Sequence, residues 1–102
     1  MLIENKLIKI FERVYLELAC RYGLPVVLNW EIWLGYKPNK KDLFTRFNEE
    51  LAREGFKTFT WEEFKQFIDK LREIFGNKVW VSREGTKTGI EPITIAIYEP
   101  LT

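Results

Sequence analysis

The sequence predicts a small single α+β domain, built from two loosely repeated helix–strand units with an additional helix between them and a C-terminal β-hairpin. Three observations predict it. Apolar residues recur at helical spacing in three stretches, β-branched and aromatic residues cluster in three others, and the pattern of residues 11–28 returns at residues 64–81. A chain of 102 residues suits one domain over its whole length, with one core and little surplus for a second.

The first helix is expected from Leu2 to Tyr22, where Leu7, Phe11, Val14, Tyr15, Leu18 and Tyr22 form an apolar stripe that Gly23 and Pro25 end. VVLNWEIWLGY, Val26 to Tyr36, then reads as a strand, straight or bent, with Trp30, Ile32 and Leu34 alternating against Asn29, Glu31 and Trp33. KPNKKDL opens a second helix, with Asn39 as N-cap and Asp42 at the third helical position. Leu43, Phe44, Phe47 and Leu51 are its stripe, and Gly55 ends it.

The third helix carries the sharpest start signal. Thr60 and Glu63 make a T-x-x-E capping box, and Phe59 and Phe64 occupy the positions of a hydrophobic staple. Trp61, Phe64, Phe67, Ile68, Leu71 and Phe75 form its buried face, with Gly76 suited to the left-handed C′ position. VWVSRE begins a strand, EGTKTG is turn-like, and ITIAIY (Ile93 to Tyr98), entered through Pro92, completes a hairpin.

FERVYLELACRYGLPVVL and FKQFIDKLREIFGNKVWV align without a gap at a constant offset of 53. Phe11 matches Phe64, Val14 matches Phe67, Tyr15 matches Ile68, Leu18 matches Leu71 and Gly23 matches Gly76. The repeat units run over about 7–34 and about 60–98. Two such halves are expected to share a core and leave a cleft between them. The same order of elements is also that of a winged-helix domain, with REGTKTG as the wing tip.

With 46% hydrophobic, 16% aromatic and 30% charged residues, the chain lies far from the disordered class. No apolar run approaches the roughly 20 residues of a membrane span, and the charged N-terminus does not read as a signal peptide. A single cysteine, Cys20, permits no internal disulfide, so an intracellular location is expected, with Cys20 as a small, partly buried residue of the first helix. Many Lys, Glu, Ile and aromatic residues, no His and one Gln match a hyperthermophile's composition.

The inventory argues against an enzyme. Without histidine, and with Ser82 as the only serine, Ser-His-Asp and Cys-His arrangements and His-containing or multi-Cys zinc sites are excluded. Neither G-x-x-x-x-G-K nor G-x-G-x-x-G occurs, so no phosphate cradle, cofactor or metal is expected. Carboxylate pairs such as Glu12 with Asp69, or Glu49 with Glu50, fall on expected solvent faces among Lys and Arg.

A binding role is expected instead. Trp30, Trp33 and Tyr36 fall within seven residues, and Trp30 and Trp33 point to opposite faces of a strand, so at least one is available to a partner. Trp80 opposes Val79, and Tyr98 ends the final strand. These five aromatics are the candidate lining of a groove between the two repeated units that takes an extended peptide by strand addition. The alternative is winged-helix DNA binding through Lys37, Lys40, Lys41, Arg83 and Lys87. Against it, the third helix holds three basic residues (Lys65, Lys70, Arg72) and four acidic ones (Glu62, Glu63, Asp69, Glu73), net −1, within a chain of net charge +1. A monomer with an open groove or a homodimer across the aromatic face are both compatible with the sequence.

LNWEIWLGYKPNKKDLFTRFNEELAREGFKTFTWEEF, with the chain's length and composition, resembles the small orphan proteins of filamentous viruses that infect hyperthermophilic archaea. That resemblance implies a viral protein of unassigned function in the host cytoplasm, with no cofactor or catalytic residues, working through a host or viral protein or through DNA.

Overall fold

The computed structural model of the protein describes residues 5–29, 41–82 and 93–101. Helix α1 (Asn5–Tyr22) leads into β1 (Val26–Val27), followed by α2 (Leu43–Arg53), α3 (Trp61–Phe75), one 3₁₀ turn (Gly76–Lys78), β2 (Val79–Val81) and β3 (Thr94–Ile97). The described residues form an α+β domain of three α-helices and a three-stranded antiparallel sheet in the order β1-β3-β2. β3, last in sequence, is central. β1 pairs with it through Val26 opposite Ile95, and β2 through Val79 opposite Ile97 and Val81 opposite Ile95.

The apolar stripes meet in one core. Phe11 of α1 sits among Phe47 of α2 at 5.6 Å edge-on, Phe67 of α3 at 5.4 Å and Phe64 of α3 at 6.2 Å between ring centroids. Such tilted pairs let the electropositive ring edge meet an electron-rich face while all the rings leave water. The sheet's inner face, with Val26, Val79 and Ile95, closes the core from below. At the 53-residue offset, α1 and α3 end on Tyr22 and Phe75, and β1 and β2 begin on Val26 and Val79.

Local chemistry explains most boundaries. Thr60 Oγ1 accepts from Glu63 N–H at 3.2 Å while Glu63 Oε1 accepts from Thr60 N–H at 2.9 Å, so the capping box closes reciprocally. Phe59 packs edge-on against Phe47 and Phe67. α2 ends in a Schellman motif: Gly55, at φ +81°, donates to Ala52 C=O and Phe56 donates to Leu51 C=O.

Three expectations are corrected. The N-cap of α2 is Asp42, not Asn39: its carboxylate accepts from Thr45 N–H at 2.8 Å, and Phe44 N–H donates to Leu28 C=O, which ties the helix start to the end of β1. Gly76 has positive φ but ψ −119°, the first central geometry of a type II′ turn rather than the left-handed helical C′. The strand expected over Ile93 to Tyr98 spans Thr94–Ile97. Residues 30–36 of the first expected strand, Asn39, Pro92 and the whole wing tip, residues 83–89, lie outside the described residues.

Candidate protein-interaction surface

Of the residues expected to bind a partner, Trp80, Tyr98 and Lys41 are described; Trp30, Trp33, Tyr36, Lys37, Lys40, Arg83 and Lys87 lie outside the described residues. The structure brings Trp80 and Tyr98 together. Trp80 on β2 stands opposite Ala96 on β3, and Tyr98 is two residues further along, so both project from the outer face as diagonal neighbours. Trp80 is 44% exposed and Tyr98 66%, with buried Ala96 beneath them. Val79, pointing the other way, is buried in the core.

β2 is also an edge of the sheet among the described residues. Tyr98 N–H donates to Lys78 C=O and Ser82 N–H to Thr94 C=O, so Lys78, Trp80 and Ser82 direct their backbone groups toward β3. By the same alternation Val79 and Val81 direct theirs outward. Val79 N–H is already taken by Gly76 C=O. Val79 C=O and both groups of Val81 therefore form the outward row.

Alongside this edge runs α3, and two hollows lie between them. One, of about 520 Å³, is bounded by Trp80, Tyr98, Gly76 and Glu73. The other, of about 360 Å³, is bounded by Trp61, Ile68, Val81 and Ile93. Asp69 and Arg72 line both, so the two hollows adjoin at these side chains and together make a trough with a mixed-charge wall. Elsewhere on α3, Lys65 pairs with Glu62 at 3.1 Å and Lys70 with Glu73 at 3.3 Å, whereas Asp69 and Arg72 form no ion pair among the described residues.

A further hollow, holding Leu16, Tyr15, Pro100 and Tyr98, flanks the aromatic face on the α1 side. Leu16 is 54% exposed, and Glu12 Oε2 accepts from Leu101 N–H at 2.5 Å, strapping the C-terminal segment onto α1. Burial among apolar groups raises the Tyr15 pKa, against the opposing hydrogen bond from Ile97 N–H.

The charged residues sort differently from the expectation. Glu50 is not on a solvent face: it is 6% exposed, with Arg46 at 3.0 Å, Arg13 at 3.3 Å and Arg53 at 3.3 Å. Arg46 also forks onto both oxygens of Glu17 at 2.8 and 2.9 Å, joining α1 to α2. Hydrogen bonding from Arg46 lowers the pKa of Glu17 and Glu50; that of Glu49 falls chiefly through Lys41, whose Nζ lies 2.7 Å from Glu49 Oε2. Lys41, the described member of the DNA-binding set, is thus engaged with Glu49. Glu12 and Asp69 line different hollows. Cys20 is exposed rather than partly buried, because it falls off the apolar stripe of α1.

Among the described residues no group of His, Cys, Asp and Glu is arranged to hold a metal ion, and no helix is long and apolar enough to cross a membrane. That Asp69 and Arg72 both face the trough was not legible in the sequence, whose one signal is the i,i+3 spacing of an acid and a base on a helix rich in such spacings. The chain matches no protein-family model, no curated protein and no solved structure.

Proposed function

We propose that this chain is a non-enzymatic protein-interaction module that takes up an extended polypeptide segment along the edge of β2, between that strand and α3. One observation carries the reading: Trp80 and Tyr98 stand exposed on the outer face beside the outward backbone row of β2. An added strand satisfies the outward groups of Val79 and Val81, and its side chains alternate between the aromatic face and the trough. Rigid aromatics supply contact area at low entropic cost. The composition, and the resemblance to small proteins of filamentous archaeal viruses, support a viral protein meeting a host or viral polypeptide in the host cytoplasm.

The test is a selection of displayed random peptides on the wild-type protein, followed by binding to Trp80→Ala and Tyr98→Ala proteins. Peptides that bind the wild type through high salt and lose affinity for both variants support the reading. Selected peptides indifferent to both substitutions would sink it.

The element order, with β3 between β1 and β2, favours winged-helix DNA binding as a second reading. Its electrostatics are poor, since Lys65 and Lys70 of α3 are paired to Glu62 and Glu73. A short DNA duplex in the same assay, bound steeply less as salt rises and weakened by Lys40→Ala, Arg83→Ala and Lys87→Ala, would favour that reading over the peptide one.

A further inference from the structure

We infer that the strand taken up at the β2 edge is β2 of a second copy of this chain, so that two protomers pair antiparallel about a two-fold axis beside Trp80. The inference rests on the reading of β2 as an interaction edge and names its occupant. Three observations lead to it.

The first is the backbone. With Val79 N–H held by Gly76 C=O, the edge offers an acceptor at Val79 and a donor at Val81, two residues apart. An antiparallel copy presents the same pair reversed, so each Val81 N–H donates to the other copy's Val79 C=O. An isologous contact satisfies the Val81 N–H and the Val79 carbonyl of both copies with one surface, and leaves each Val81 carbonyl to water.

The second is the outer face. This register sets Trp80 directly across from the other copy's Trp80 at a non-hydrogen-bonded position, where cross-strand side chains lie closest and aromatic pairs stabilise most. The exposed indole is thereby covered. A short unpaired edge is also a liability that pairing with a copy removes.

The third is charge. Of the charged residues lining the trough, Lys65 and Glu73 are paired to neighbours on α3, whereas Asp69 and Arg72, the acid and the base common to both hollows, form no ion pair among the described residues. A two-fold axis beside β2 brings α3 against its copy antiparallel, setting Asp69 of each protomer toward Arg72 of the other. A partner of one sign would satisfy one of these side chains and repel the other; a second copy satisfies both. A net charge of +1 per chain adds little repulsion between copies.

Sedimentation equilibrium of the full chain over a dilution series tests this. The wild type is expected to be dimeric, with Asp69→Arg and Arg72→Asp each weakening dimerisation roughly tenfold, since either reversal removes two symmetric pairs and introduces two repulsions. The double variant carrying both reversals exchanges acid for base at each site and is expected to recover the dimer. Neither side chain forms an ion pair among the described residues, so circular dichroism is expected to show an unchanged fold. A monomeric wild type overturns the inference, as does a dimer that ignores both reversals. If the wild type is monomeric while selected peptides still need Trp80 and Tyr98, only the choice of occupant fails; if no peptide binds either, the edge reading fails with it.

Discussion

The Tyr15 hydroxyl accepts the Ile97 N–H at 2.8 Å, standing in for a strand where β1 has run out. β1 pairs with Thr94 and Ile95, and the next inward-directed donor on that side of β3 finds α1 instead. The bond positions the end of β3 from which Tyr98 projects. Tyr15→Phe leaves a part-buried N–H without its partner, so unfolding in denaturant is expected to show a loss of about 1–3 kcal/mol, with faster exchange of the Ile97 amide. Burial holds the folded Tyr15 pKa above its ordinary value of 10.0, so its contribution is complete below pH 10 and falls as pH rises through the raised value. The variant is expected to lose that alkaline limb.

Asn48 holds Phe59 by both backbone groups: its Nδ2 donates to Phe59 C=O at 2.9 Å, and its Oδ1 accepts from Phe59 N–H at 2.8 Å. This clamp joins α2 to the residue before the capping box and sets Phe59 against Phe47 and Phe67. Asn48→Asp keeps the acceptor but turns a carboxylate oxygen toward a carbonyl. It is expected to destabilise by about 1–3 kcal/mol and at least as much as Asn48→Ala, as read by chemical denaturation.

The ionic network between α1 and α2 predicts an acid limb. Glu50, Glu17 and Glu49 have folded pKa values below the ordinary 4.5, so their stabilisation is complete above that pH and is lost as pH falls through the lowered values. Arg46→Met removes the shared partner. Thermal unfolding between neutral pH and pH 2 is expected to show a shallower acid dependence than in the wild type, at a lower neutral-pH midpoint.

Two aromatic classes are expected to separate in mutagenesis. Phe11 is fully buried at the junction of three helices, and Phe11→Ala is expected to cost about 3–5 kcal/mol. Tyr98→Ala is expected to change stability by under about 1 kcal/mol, because most of its ring is already in water. Denaturation midpoints measured in parallel with partner binding check both. A large stability loss on Tyr98→Ala would mean that this face serves the core.

The elements whose signals are local were legible in the sequence. The capping box at Thr60 and Glu63, the stripes of α1, α2 and α3, and the opposed directions of Val79 and Trp80 depend on residues within a few positions of one another, so spacing alone determined them. What depends on a distant partner was decided only by tertiary structure. Asp42 rather than Asn39 caps α2 because Leu28 C=O anchors the helix start, and Glu50 is buried because Arg13 reaches it from another helix. Trp80 and Tyr98 become neighbours only through the β2–β3 register. The trough wall likewise arises only when α3 is laid beside β2, because a helical pattern specifies which side chains share a face but not what that face will meet.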